Sequence, residues 1–141
     1  MKYTDGATEL LDYLKENDIP YCLATGCGID NVSFYMEHMD LGRWFDLDRN
    51  VVYFDGTFAG KPEPDTYLIA ANKLGLDASE CIVFEDGTSG ILAANKANAG
   101  AVVCVYEHSL PSPMTNEVHC DSVHKDFTDW KKIIEDYGLL R

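Results

Sequence analysis

Residues Cys81 to Gly87 read CIVFEDG: an unbroken apolar run, then two acids and a glycine. A run without polar alternation is what a strand buried on both faces of a parallel sheet requires. Two neighbouring carboxylates at its end repel each other unless a cation or donor compensates them. The stretch therefore predicts a buried strand that delivers charge to a glycine turn. Outward from it the unit recurs. Ile91 to Ala99 is a predicted helix closed by Gly100, and Ala101 to Tyr106 (AVVCVY) is a further apolar strand. Upstream, Asp65 to Leu74 has helical apolar spacing, with Pro62 and Pro64 before it and Gly75 behind it. Ile19 to Ala24 is another short apolar run, ending at Thr25-Gly26-Cys27-Gly28, with Asp30 or Asn31 as cap of a helix to about Met39. Thr8 to Asn17, after a turn at Asp5-Gly6, and Phe127 to Tyr137 read as outer helices. Strands alternating with helices predict an open α/β domain with a mainly parallel sheet. Residues 1–141 fit one such domain, a size that buries roughly 70% of its unfolded surface.

The balance of 24 acidic against 11 basic residues gives a formal charge of −13, and no basic cluster exceeds Lys131-Lys132. Nucleic acid and anionic membranes are thereby poor partners. An acidic protein that handles an anionic substrate needs a cation to offset its own field. Five cysteines at irregular spacing, Cys22, Cys27, Cys81, Cys104 and Cys120, predict free thiols in a reducing compartment. No segment approaches the ~18 apolar residues of a membrane span, and acids occupy the N-terminus where a signal peptide needs an apolar region. The expected location is cytoplasmic.

In open α/β sheets, ligands bind beyond the carboxyl ends of the strands. Thr25-Gly26 and Glu85-Asp86 both fall there, and Gly60-Lys61-Pro62-Glu63-Pro64-Asp65 places a lysine ahead of a helix. Hydroxyl and backbone N–H groups at Thr25-Gly26 suit phosphate oxygens, Lys61 supplies positive charge, and the acids suit Mg²⁺. Those are the parts of phosphoryl transfer, which depends on positioning and charge neutralisation. A phospho-receiver domain combines similar residues, but there the acids open the chain and the lysine comes last. The order Thr25, Lys61, Glu85-Asp86 argues against one. His38, His108, His119 and His124 share no metal-ligand spacing and read as surface or loop residues. Trp44 and Trp130 read as anchors of helices to the core.

YTDGATELLDYLKENDIPYCLATG, GKPEPDTYLIAANKLGL and IVFEDGTSGILAA, in that order, resemble the haloacid dehalogenase-like hydrolases, in particular their β-phosphoglucomutase-like phosphatase branch. The resemblance runs from about Tyr3 to Val105, and CDSVHKDFTDWKKII (Cys120 to Ile134) is similar to the branch's C-terminal end. It implies a Rossmann-like three-layer core and a small phosphorylated metabolite as substrate, selected by a cap domain. Thr25, with the backbone of Gly26, corresponds to the phosphoryl-binding position, Lys61 to the lysine that neutralises phosphate and nucleophile, and Glu85 with Asp86 to the pair that binds Mg²⁺ directly or through water. The family's opening motif, Asp-x-Asp-Gly-Thr, supplies a nucleophilic aspartate and an acid/base aspartate from the central strand. The resemblance implies that this sequence begins where the family's chain returns from the cap to the core, with roughly the first third of a typical member expected to be absent.

Val51 to Phe58, VVYFDGTF, is the only candidate for that motif. It sets Tyr53 at the nucleophile position and Asp55 at the acid/base position, and a tyrosine cannot both attack phosphorus and ligate Mg²⁺. Asp55 therefore reads as a turn residue. The expectation is a hydrolase core that is inactive alone, or a non-catalytic phosphate- or metal-binding or assembly protein built on the same fold. Without a central strand, the strands ending at Thr25 and Glu85 have unpaired inner edges. Three resolutions are open: the strands close on each other, a strand from elsewhere or from another copy fills the gap, or the chain is a fragment of a longer protein.

Overall fold

The computed structural model describes residues 3–106 and 118–138. In chain order it contains α1 (Ala7–Glu16), β1 (Leu23–Ala24), α2 (Ile29–His38), β2 (Val51–Val52), α3 (Asp65–Lys73), β3 (Ile82–Glu85), α4 (Thr88–Lys96), β4 (Ala101–Val105), β5 (Ser122–His124) and α5 (Trp130–Asp136). Every strand pairing is parallel. No described helix is long and apolar enough to cross a membrane.

Sheet and helices form three layers, and β4 shows why its sequence has no polar alternation. All five of its residues are buried. Val102 and Cys104 pack with Ile91, Ala93, Ala94 and Ala97 of α4. Val103 and Val105, pointing the other way, pack with Ile133 of α5. On the α5 side, α1 adds Leu10 and Leu14 against Ile134. Trp44 is buried with Val32, Phe45 and Val51, and its Nε1–H donates to Asp12 Oδ1 at 2.8 Å. Trp130 packs on Tyr13 with ring centroids 5.2 Å apart. Both tryptophans are anchors, as expected.

Several boundaries differ from the sequence reading. Helix α2 is capped by Gly28, not by Asp30 or Asn31, which lie inside it. The strand expected over Ile19 to Ala24 is reduced to Leu23–Ala24, because only there does a partner, β2, run alongside. Helix α4 begins at Thr88 rather than Ile91: Gly87 is extended, its carbonyl accepts from Ile91 N–H at 3.0 Å, and the helix starts directly behind the acids. Strand β5 was not foreseen. It is short and partly exposed, and the Asp121 carboxylate completes its junction with β4 by accepting from Val102 N–H at 2.7 Å.

The strands fall into two sheets, β1-β2 and β3-β4-β5, and β1 does not pair with β3. Closure of the gap, one of the three resolutions, does not occur. Between the two sheets lies an apolar cleft of about 510 Å³.

Gly6 fastens the first turn to the C-terminal segment. It sits at φ +84°, and a Cβ there would collide with the Phe127 carbonyl, while Phe127 N–H donates to Asp5 O at 2.8 Å. Gly6→Ala is expected to destabilise the protein by more than about 1 kcal/mol, read as a lower urea midpoint, whereas Gly42→Ala, where a Cβ meets nothing, stays close to wild type.

Candidate functional site

Two candidate residues stand at strand ends, Thr25 directly after β1 and Glu85 as the last residue of β3, and Lys61 comes from a loop. Glu85 closes β3, and its Oε1 accepts from Lys61 Nζ at 2.6 Å and also from the Tyr67 hydroxyl. The ion pair is largely withdrawn from water, with side-chain exposures of 17% for Lys61 and 9% for Glu85. Burying two charges is costly, and losing either partner leaves the other uncompensated, typically at about 3–5 kcal/mol. Lys61 is presented by the loop before α3. There Glu63 N–H donates to Gly60 O at 3.0 Å, and Ala59 N–H donates to Asp65 Oδ2 at 3.1 Å. Its ammonium lies 5.0 Å from the centre of the Tyr67 ring.

The two acids occupy different situations. Glu85 is committed inward, and its Oε2 also accepts from the Asp86 N–H at 3.2 Å. Asp86 is exposed at the start of the turn into α4. Two neighbours of Glu85 escaped the sequence reading. Tyr67 looked like one more apolar residue of α3, yet it is buried and its hydroxyl bonds the carboxylate. Burial first, then the charge and hydrogen bond of Glu85, hold that hydroxyl protonated well above the usual tyrosine range. Gly90, in the first turn of α4, faces the Glu85 carboxyl group so closely that a Cβ would overlap it. The spacing of Gly90 five residues after Glu85 was the available signal.

Thr25 and Gly26 stand in the loop between β1 and α2. The Thr25 hydroxyl accepts from Cys27 N–H at 3.1 Å, Gly26 has no atom near its Cβ position, and α2 begins three residues later. A loop of this kind at a helix N-terminus presents N–H groups to an anion. Among the described residues no hydrogen bond joins Thr25 or Gly26 to Lys61, Glu85 or Asp86. What links the groups is the cleft, which is lined by Ala24 next to Thr25, by Phe84 next to Glu85, and by Tyr67.

Asp55 is an exposed turn residue: its Oδ1 accepts from Thr57 N–H at 2.9 Å and from the Thr57 hydroxyl at 2.5 Å, and Gly56 follows at φ +84°. Those Thr57 bonds hold its carboxyl below the usual range. All five cysteines are free. His38 and His119 are exposed, His124 is half-buried on β5 with Nε2 3.3 Å from Ser122 Oγ, and His108 lies outside the described residues. Among the described residues no three His, Cys, Asp or Glu side chains converge as a metal cage.

The model of the haloacid dehalogenase-like hydrolases matches residues 2–98. A probable pseudouridine-5'-phosphatase from Drosophila melanogaster is 36% identical over 143 residues, covering 95% of this chain and 57% of that protein. (DL)-glycerol-3-phosphatase 2 from Arabidopsis thaliana is 32% identical, covering 95% and 55%. Among solved structures, a HAD hydrolase of family IA, variant 3, from Entamoeba histolytica has a TM-score of 0.84 at 34% identity, covering 96% of this chain and 60% of that one. A putative beta-phosphoglucomutase from Thermotoga maritima has a TM-score of 0.78 at 25% identity, covering 94% and 59%. The chain thus spans rather more than half the length of the relatives it matches.

Gly90→Ala is expected to push the Glu85 carboxylate off Lys61 and Tyr67, lowering stability by roughly 1–3 kcal/mol in urea unfolding, with Ser89→Ala as the exposed control. Tyr67 carries a pH signature. The unfolded chain releases a tyrosine proton near pH ~10 while the native state keeps it. The stability this contributes is complete below that pH and falls above it by up to about 1.4 kcal/mol per unit. In Tyr67→Phe that part of the alkaline slope disappears, read as urea midpoints between about pH 9 and pH 11.

Proposed function

The chain belongs to the haloacid dehalogenase-like hydrolases, and on that footing we propose that it is the phosphate- and metal-binding portion of a Mg²⁺-dependent phosphatase or phosphomutase of the β-phosphoglucomutase-like branch, acting on a small phosphorylated metabolite. The observation that carries the reading is the part-buried pair of Lys61 with Glu85, the last residue of β3, directly beside the exposed Asp86. Phosphatases and a putative phosphomutase among the matched proteins support it.

The donor set fits Mg²⁺. That ion is held by one or two carboxylates, with waters and substrate oxygens completing its shell, so a dedicated cage is not needed. Asp86 is the carboxylate free to ligate, and Glu85 acts from behind by holding Lys61. When bound, Mg²⁺ would offset the charge of the phosphoryl oxygens against an acidic protein. Thr25 Oγ1 and the Gly26 N–H hold phosphoryl oxygens, and Lys61 supplies the fixed positive charge.

An attacking group is not among these residues. Tyr53 stands where an aspartate would be required, and Asp55 is spent on its own turn. The chain alone is therefore proposed to bind phosphate without turning over an ester. The same deficiency favours a second reading, a non-catalytic phosphate- or metal-binding protein. With p-nitrophenyl phosphate and Mg²⁺, the expected result is no turnover above the uncatalysed rate. Turnover that survives Asp55→Asn and is abolished by Asp86→Asn would overturn the inactivity. In calorimetry, inorganic phosphate binding that weakens at least tenfold in Lys61→Met supports the phosphate site, and no binding by the wild-type chain sinks it.

A further inference from the structure

We infer that Phe54 and Phe58 form a platform beside the phosphate site for a planar aromatic or heteroaromatic ring, so that the favoured ligand is the monophosphate ester of a ring-bearing compound rather than a polyol phosphate or a bisphosphate. The inference rests on the phosphate reading of Thr25, Gly26 and Lys61. Thr25 N–H donates to Val52 O at 2.9 Å, so β1 and β2 end together and the chain runs on into Tyr53 and Phe54. There the two rings part. Tyr53 packs against the cluster of Val32, Trp44, Phe45 and Val51, while Phe54 is 40% exposed. Phe54 is nevertheless held on both sides. Its N–H donates to Cys27 O at 3.0 Å, two residues past Thr25, and its Cδ2 and Cε2 lie 3.8 Å from the Cβ position of Gly60, the residue before Lys61. The Phe58 ring stands at 80° to it with centroids 5.7 Å apart, a contact that sets the plane of the Phe54 ring. A part-exposed aromatic ring is thus fixed between the two arms that hold the phosphate.

The surroundings select the ligand. On the α2 side the Cβ position of Gly28 is 3.9 Å from Phe54 O, and the next residue, Ile29, is 42% exposed, so the apolar surface continues there. Between the two rings, the Thr57 hydroxyl donates to Asp55 Oδ1, which leaves no side-chain donor for the hydroxyls of a polyol. Neither residues 51–60 nor α2 contains a lysine or arginine, so a second phosphate finds no fixed cation there in a chain of formal charge −13. A flat ring needs neither donor nor cation. Stacking on an aromatic side chain strengthens its binding by roughly 5- to 150-fold.

The test compares phenyl phosphate with glycerol 3-phosphate on the full chain in the presence of Mg²⁺, two esters of the same charge, with inorganic phosphate as the reference ligand. In calorimetry, phenyl phosphate is expected to bind about tenfold tighter than glycerol 3-phosphate, or more. That ratio is expected to fall by about fivefold or more in Phe54→Leu, which keeps an apolar side chain without the ring. It holds in Phe34→Leu, which removes an exposed phenylalanine elsewhere on α2. In the unsubstituted chain the Phe54 ring protons shift upfield with phenyl phosphate and not with glycerol 3-phosphate. Equal affinity for the two esters, a ratio that survives in Phe54→Leu, or Phe54 ring protons that do not move would overturn the inference. Inorganic phosphate bound with no preference for the ring ester sinks the platform and leaves the phosphate reading standing. Binding of none of the three ligands sinks both.

Discussion

One carboxylate organises the functional end of this molecule. Glu85 accepts hydrogen bonds from Lys61, Tyr67 and the Asp86 backbone, and the bare Cα of Gly90 gives it room. Those contacts join the loop before α3, the helix itself, the end of β3 and the first turn of α4. A buried charge is tolerated when every lone pair has a partner, so the position of Lys61 is set by electrostatics rather than left to a flexible side chain. Asp86, one residue on, is thereby the acid that remains open to solvent.

Much of the fold could be read from periodicity. Runs such as Ala101 to Val105, apolar at every position, announce a strand packed on both faces, and β4 has α4 on one side and α5 on the other. Short or edge elements were less legible. Strand β5 has three residues, one of them an exposed valine, and its pairing depends on a side chain, Asp121, closing the ladder. The extent of β1 could not be read either, because strand length is set by the neighbour and its neighbour contributes only two residues.

In the candidate site, charge in unusual places was visible: adjacent acids after an apolar strand, a lysine between glycine and proline. Partners that look ordinary were not. Tyr67 sits on a helical apolar face, and only the fold shows its hydroxyl against Glu85; Gly90 reads as a weak point in a helix until the carboxylate beside it is seen. VVYFDGTF misleads in the opposite sense. Its aspartate, glycine and threonine form a hydrogen-bonded surface turn, a structure those residues adopt on their own account. The separation of β1 from β3 follows from the same deficit, since no described strand lies between them.

The central proposal is that Thr25, Gly26 and Lys61 form a phosphate site, with no attacking carboxylate beside them among the described residues. It is tested most directly by recording backbone amide spectra while inorganic phosphate and Mg²⁺ are added. Saturable shifts at Thr25 and Gly26, strengthened by Mg²⁺ and lost in Lys61→Met, are the expected result. Shifts confined to other residues, or none at these two amides, would contradict it.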